Sequence, residues 1–354
     1  MMTLRQLSAG SASIPMATAW YLSDLAEARG KQELFTRQSP QRLKVLREHA
    51  LIESAVSSNR IEGVEVEQAR VRTIIFGKPL LRDRNEEEVQ GYRDALKLIH
   101  ERGTALAVSY QTVRELHRLS RREIGDAGRY RETDTDIIEK YPDGRERVRF
   151  RPVPAGVVPA AMEESIALWV KILEGRLIPP LIALAAFNLD FLCIHPFRDG
   201  NGRVSRLLLL LQCYHLGYQV GRYISLERLI EEHKERYYET LEQSSVGWHD
   251  GKNDPWPYVN YTLFILRAAC REFEGRLGQV SAPKGAKAEM VREAISRQLG
   301  EFRLVDIERA CPGVGREWIR VVLAEMKGSG EVSCQGRGPG ARWRYLGSKG
   351  SIPK

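Results

Sequence analysis

The twelve residues His195-Pro196-Phe197-Arg198-Asp199-Gly200-Asn201-Gly202-Arg203-Val204-Ser205-Arg206 gather a base, a carboxylate, two glycines, an amide and arginines into one short stretch. An imidazole accepts a proton near neutral pH. A carboxylate holds a divalent cation, and glycines let backbone N–H groups come close to an anion. Together these residues suit chemistry on a bound phosphate. If the ligand is a nucleoside triphosphate, Asp199 can hold Mg²⁺ on its phosphates, the arginines neutralise charge farther along, and His195 activates an incoming hydroxyl. Metal, arginines and backbone amides would then stabilise the departing pyrophosphate.

Such a stretch needs rigid elements on both sides. Leu181 to Ile194 reads as one helix, and Val204 to Leu216, with its leucine run from 207 to 211, reads as a deeply buried second one. The motif is the turn between them, and a Gly-rich turn entering a helix presents free N–H groups and the positive end of the helix dipole. Arg203 and Arg206, three apart, are expected to reach the same ligand. Phe197 reads as packing that anchors the loop.

The rest of the first 275 or so residues is expected to be nearly all helical. Amphipathic patterns run over Gln41 to Val56, Asn85 to Glu101, Gln111 to Arg122, Val158 to Leu173 and Leu226 to Ser244. Between Gly128 and Pro154 the pattern changes. Thr135, Ile137 and Ile138 precede a Tyr141-Pro142-Asp143-Gly144 turn, and Val148 and Phe150 follow it, which predicts a projecting β-hairpin. A linker is expected near 279–287. After it come three predicted helices (Met290 to Leu299, Leu304 to Ala310, Arg316 to Lys327), with a turn at Cys311-Pro312-Gly313. A second hairpin completes the order of a winged helix. Trp318, Val321 and Val322 are expected in its core; Arg316 to Lys327 could lie in a DNA major groove with Arg342 and Arg344 on phosphates, or the domain could mediate protein contact or simply extend the fold, since Glu317 and Glu325 oppose DNA. Residues 283–354 hold fourteen Lys and Arg against eight Asp and Glu, so most of the net charge of +8 is C-terminal and permits an acidic partner there. Met1 to Trp20 lacks the apolar core of a secretory signal, no apolar run is long enough to span a bilayer, and five cysteines without CxxC spacing read as reduced thiols. A cytoplasmic protein with no membrane partner is the expectation.

Having these residues, the chain resembles the Fic (Fido) family, whose signature HxFx(D/E)GNGRxxR is met at every specified position from His195 to Arg206. The likeness extends over roughly Glu53 to Leu277. It implies a mainly α fold: a Fic-type helical core with a β-hairpin flap, plus a small C-terminal winged-helix (α+β) domain. The implied layout is an N-terminal helical region over 1–105, a catalytic core over 106–278 with its flap at about 128–154, the linker, a winged helix over 288–347 and a tail. The implied activity is transfer of AMP from ATP to a Ser, Thr or Tyr hydroxyl of a target protein, with Mg²⁺. His195 is then the base and Asp199 the Mg²⁺ ligand. Phe197, Arg198, Asp199, Gly200, Asn201, Gly202, Arg203 and Arg206 form the ATP-binding stretch, and the flap holds the target by strand-like pairing. His233 stands where relatives often carry Asn against the adenine. Ser58-Asn59-Arg60-Ile61-Glu62-Gly63 fits the family's inhibitory pattern (S/T)xxxE(G/N), on a helix at about 51–63, so Ser58, Glu62 and Gly63 are inhibitory residues and Glu62 is expected to occupy Arg206. Removal of AMP or transfer of another phosphate-bearing group are alternatives within the enzyme class. A winged-helix DNA-binding regulator with a sensory Fic core is the alternative outside it. Self-modification, a homodimer and DNA as a partner stay open.

Overall fold

The computed structural model describes residues 2–10, 13–36, 40–77, 80–122, 125–140, 144–278, 286–296, 298, 300–311, 314–336 and 338–347. The chain forms two compact units, Met1–Glu274 and Gly275–Lys354. The expected linker, the tail, and the turn residues 141–143 and 312–313 lie wholly or largely outside the described residues.

Twelve helices are described in the first unit: α1 (Thr3–Ser8), α2 (Met16–Thr36), α3 (Pro40–Ile61), α4 (Gln68–Phe76), α5 (Arg84–Arg102), α6 (Tyr110–Arg121), α7 (Val158–Gly175), α8 (Pro180–Ile194), α9 (Asn201–His215), α10 (Leu226–Glu232), α11 (Lys234–Ser245) and α12 (Trp256–Gly278). An antiparallel hairpin, β1 (Ile137–Lys140) with β2 (Glu146–Phe150), stands between α6 and α7. Every residue of α8 from Leu181 to Ile194 is buried, as a helix apolar on all faces must be. Its two polar members are used as ties. Asn188 donates to the Ser205 carbonyl of α9 at 2.7 Å and accepts from the Tyr258 hydroxyl of α12 at 2.7 Å, which sets α8 and α9 against each other. Asp190 accepts from the backbone N–H groups of Thr3 and Leu4 at 2.7 and 2.9 Å and from Trp248 Nε1 at 2.6 Å, fastening the N-terminal segment to the core.

The run from Leu226 to Ser244, expected to be one helix, is two. The chain breaks at His233, whose φ of −117° and ψ of 33° leave the helical region. Ile230 and Tyr237 are buried on either side, so each short helix buries its own face and the apolar pattern runs on through the break. No Gly or Pro marks it.

In the second unit α13 (Ala286–Ser296), α14 (Leu304–Ala310) and α15 (Arg316–Gly328) precede β4 (Val332–Gln335) and β5 (Arg342–Tyr345). A two-residue strand, β3 (Glu301–Phe302), adds an edge the sequence reading lacked, giving an antiparallel sheet in the order β3-β5-β4. Two residues are too few to show a period. Ile319, Val322, Leu323 and Met326 form the buried stripe of α15, at the i, i+3, i+4, i+7 spacing of one helix face. Trp318 and Val321 fall on its flank and are 45% and 44% exposed, so only Val322 of the three expected core residues is in the core. Arg342 and Arg344 both lie 3.5 Å from Glu301 on β3, and both side chains remain exposed.

Burial pushes the imidazoles of His100, His117 and His195 down to about 4, whereas burial pushes the Asp190 carboxyl up to about 6. An unfolded histidine takes its proton near 6.5, so the three histidines add stability above that value and withdraw it as pH falls toward 4. Asp190 acts in the opposite sense, because the folded chain binds its proton more tightly. With three groups against one, the thermal midpoint should fall steadily between pH 6.5 and 4.5 in a calorimetric series. A midpoint flat across that window would contradict this balance.

Candidate active site

The motif turn begins where α8 ends. His195 adopts φ 52° and ψ 60°, a left-handed conformation that costs a non-glycine residue about 1 kcal/mol and turns the chain out of the helix. Arg131 holds it there. Its Nε donates to the His195 carbonyl at 2.9 Å, its backbone N–H to the Pro196 carbonyl at 2.9 Å, and its guanidinium also reaches the Val153 carbonyl. His195 Nδ1 lies 3.3 Å from the Leu192 carbonyl, which can only accept. Nδ1 therefore carries the proton, and the lone pair of the neutral imidazole is on Nε2.

Phe197 is fully buried and stacks on His117, with ring centroids 3.7 Å apart and planes at 5°. The Asn201 side chain closes the turn on itself, accepting from the Phe197 N–H at 2.9 Å and donating to the Phe197 carbonyl at 2.8 Å. His117 is fixed as well. Its Nδ1 accepts from the Gly128 N–H at 2.8 Å, so Nε2 is the atom that donates to the Asp199 carbonyl at 3.0 Å. Gly200 has a φ of +82°, and a Cβ there would lie 3.3 Å from Arg121 Cδ and 3.4 Å from the His117 ring. Arg198 is exposed.

Helix α9 starts at Asn201, earlier than the periodicity suggests, so Asn201, Gly202 and Arg203 make its first turn. The N–H groups of such a turn have no partner within the helix. Against this turn lies Glu62. A Cβ on Gly202 would fall 2.2 Å from Glu62 Oε1, so the carboxylate occupies the space that only glycine leaves. Glu62 follows the end of α3, in a turn where Gly63 takes a φ of +81°. Its Oε1 accepts from Arg206 Nη2 at 2.8 Å, and Ser58 completes the seat, its Oγ accepting from Arg206 Nε at 2.8 Å and its carbonyl from Nη2 at 2.9 Å. Burial disfavours the Arg206 charge, but Glu62, Tyr92 and Tyr237 raise its affinity for the proton above the ordinary arginine value.

Arg203 and Arg206 do not converge. Arg203 Nη1 points to Glu88 of α5 at 2.6 Å and to Asn59 Oδ1 at 3.3 Å, while Arg206 turns to Ser58 and Glu62. The Asp199 side chain is 54% exposed and faces arginines. Arg121 Nη1 donates to its Oδ2 at 2.6 Å, and Arg203 and Arg84 stand 3.8 Å away. Burial works against ionisation, yet Arg121 and Arg203 hold the Asp199 carboxyl below its usual range. His233 sits at the α10–α11 break with its ring edge-on to Phe264, centroids 5.1 Å apart, and Tyr237 packs against Tyr238, Tyr258 and Tyr261. Sequence reasoning missed His117, Arg121, Arg131 and Glu88. His117 and Arg121, four apart on the buried side of amphipathic α6, were a visible irregularity, whereas Glu88 and Arg84 look like an ordinary surface i,i+4 pair.

A helical body thus carries a hairpin beside a loop that joins an imidazole, an exposed carboxylate and a helix N-terminus. Residues 107–213 match the family model of the Fic/DOC family, and the chain carries a Fic/DOC domain. It is 26% identical over 233 residues to a protein adenylyltransferase Fic of Nematostella vectensis, covering 63% of this chain and 48% of that protein. A protein adenylyltransferase Fic of Culex quinquefasciatus is 26% identical over 230 residues, 62% of this chain and 41% of that one. The chain thus matches about half the length of these relatives. A Fic family protein from Desulfovibrio desulfuricans has a similar fold, with a TM-score of 0.60 at 24% identity over 96% of this chain and 99% of that one.

The two neighbours in the loop should separate cleanly by stability. Phe197→Ala should lower unfolding free energy in urea by roughly 3–5 kcal/mol, because a buried stacked ring is lost, whereas Arg198→Ala should change it by no more than about 0.5 kcal/mol. Equal effects would mean that Phe197 does not anchor the turn.

Proposed function

We propose that the protein transfers AMP from ATP to a Ser, Thr or Tyr hydroxyl of a protein. The observation that carries this reading is the arrangement at His195: a neutral imidazole with its free nitrogen at Nε2, on a turn that leads straight into the N-terminal turn of α9. The hydroxyl oxygen attacks the α-phosphorus as its proton passes to Nε2. The bond from that phosphorus to the bridging oxygen breaks, and pyrophosphate leaves with its charge facing α9.

Three features fit the phosphates. The N–H groups of the first turn of α9 point outward, only glycine fits at 202, and a carboxylate already rests against that turn. For Mg²⁺ the fit is of a particular kind. Among the described residues no cluster of three or more His, Cys, Asp or Glu could hold a metal ion, so Asp199 would supply one oxygen and the phosphates and water the rest. When bound, the ion supplies charge neutralisation on the phosphates and on the leaving group. The flap supports a peptide partner, since Ile138 and Val148 are paired across the hairpin and both exposed.

In the resting state Glu62 holds Arg206, so the γ-phosphate lacks its cation and the α-phosphate is poorly placed. Incubated with labelled ATP and Mg²⁺, the purified chain should label itself weakly. Glu62→Gly should raise that labelling tenfold or more, the order expected from freeing a buried ion-pair partner, and His195→Ala should abolish it. Unchanged labelling in the Glu62 variant would sink the resting-state reading.

A second reading concerns the other unit. Arg316, Arg320 and Lys327 line a groove of about 440 Å³ between α15 and the β4–β5 hairpin, with Trp343 in its wall, which favours an anionic partner such as DNA. A binding titration at 50 and 200 mM salt should then show affinity falling roughly 10-fold or more, and no salt-sensitive binding would remove it.

A further inference from the structure

The motif holds a further internal ion pair beside those of Arg203 and Arg206. Arg121, the last residue of α6, is buried and passes beneath Gly200. Its Nη1 lies between two carboxylates, 2.6 Å from Asp199 Oδ2 and 3.1 Å from Glu88 Oε1. Asp199 Oδ1 is also engaged, by the Gly200 N–H at 2.6 Å. Both oxygens of the one carboxylate able to meet a cation in this loop are therefore occupied by donors from the chain.

Glu88 is buried and organises the arrangement. Oε1 accepts from Arg121 and from Arg84 at 3.0 Å, and Oε2 accepts from Arg203 at 2.6 Å. Arg121 is thus also held by the buried Glu88. The guanidinium can give up Asp199 and keep Glu88. Its Nε is buried without a hydrogen-bond partner, so its present seat is not fully satisfied.

We propose that Arg121 is a positioning residue that stands in for the divalent cation at Asp199, so that cation and guanidinium compete for Oδ2. The inference rests on the reading of Asp199 as the cation ligand. Its consequence is that the resting site holds Arg121–Asp199 beside Glu62–Arg206 and Glu88–Arg203, and that removing Glu62 leaves the Arg121–Asp199 pair in place. The tether to Glu88 keeps the displaced guanidinium near the bound anion, and Arg121 returns to Asp199 when the cation departs.

The test measures binding without transfer. A fluorescent ATP analogue is titrated onto the full chain carrying Glu62→Gly and His195→Ala across a series of Mg²⁺ concentrations. Adding Arg121→Gln should lower the Mg²⁺ concentration for half-maximal binding about tenfold, since a like charge at contact distance is removed. Asp199→Asn should abolish the Mg²⁺ dependence. If Asp199→Asn behaves so and Arg121→Gln leaves the Mg²⁺ requirement unchanged or raises it, the competition is overturned while the reading of Asp199 stands. If Asp199→Asn keeps the full Mg²⁺ dependence, the reading of Asp199 falls and the competition with it. Should Arg121→Gln melt below assay temperature, Arg121→Lys serves. A single amine cannot reach both carboxylates, so a smaller shift in the same direction is expected, and no shift overturns the proposal.

Discussion

Buried guanidinium groups govern this structure. Helix α9 carries five consecutive leucines into the core and takes Arg203 and Arg206 with it, so that both side chains are 2% exposed. A buried charge without a partner is among the most costly features a fold can contain. Each arginine therefore draws a counter-ion from another element: Glu88 from α5 for Arg203, and Glu62 beyond α3 for Arg206. The packing of α3 and α5 onto α9 is as much an electrostatic requirement as an apolar one.

The loop that carries His195 is held in a left-handed bend from three directions. Arg131 ties it to the base of the flap, His117 stacks under Phe197 and binds the Asp199 carbonyl, and the Asn201 amide closes the turn on itself. Asn188 fixes the two helices on which the loop is mounted. The backbone from His195 to the first turn of α9 is thereby held by contacts from several elements. What can change on binding is the set of ion pairs around it, and the partly exposed carboxylates Glu62 and Asp199 have the most freedom to move.

On α15 the buried stripe separates two unlike flanks, one basic with Arg316, Arg320 and Lys327 beside the hairpin, the other apolar with exposed Trp318 and Val321. Composition reads both as core or as charge. Only the angular position of each residue on the helix distinguishes them.

Much of the site was legible in the chain. His195 to Arg206 supplied imidazole, carboxylate, glycines and arginines at fixed spacing, and the two flanking helices were plain from their apolar spacing, because local spacing is a property of short segments. The pairing of Glu62 with Arg206 was also anticipated, though through resemblance and not through any local rule, whereas Ser58 as a second partner of Arg206 came from the structure. Tertiary structure decided what lay between distant segments: that Arg203 turns to Glu88 and away from Arg206, that Arg121 takes Asp199, that Arg131 props the turn, and that His233 interrupts a helix. None of these has a local signature. A charged residue on an amphipathic helix looks the same in sequence whether it meets water or a buried opposite charge, and only the folded chain, by bringing the two together and excluding solvent, makes the difference.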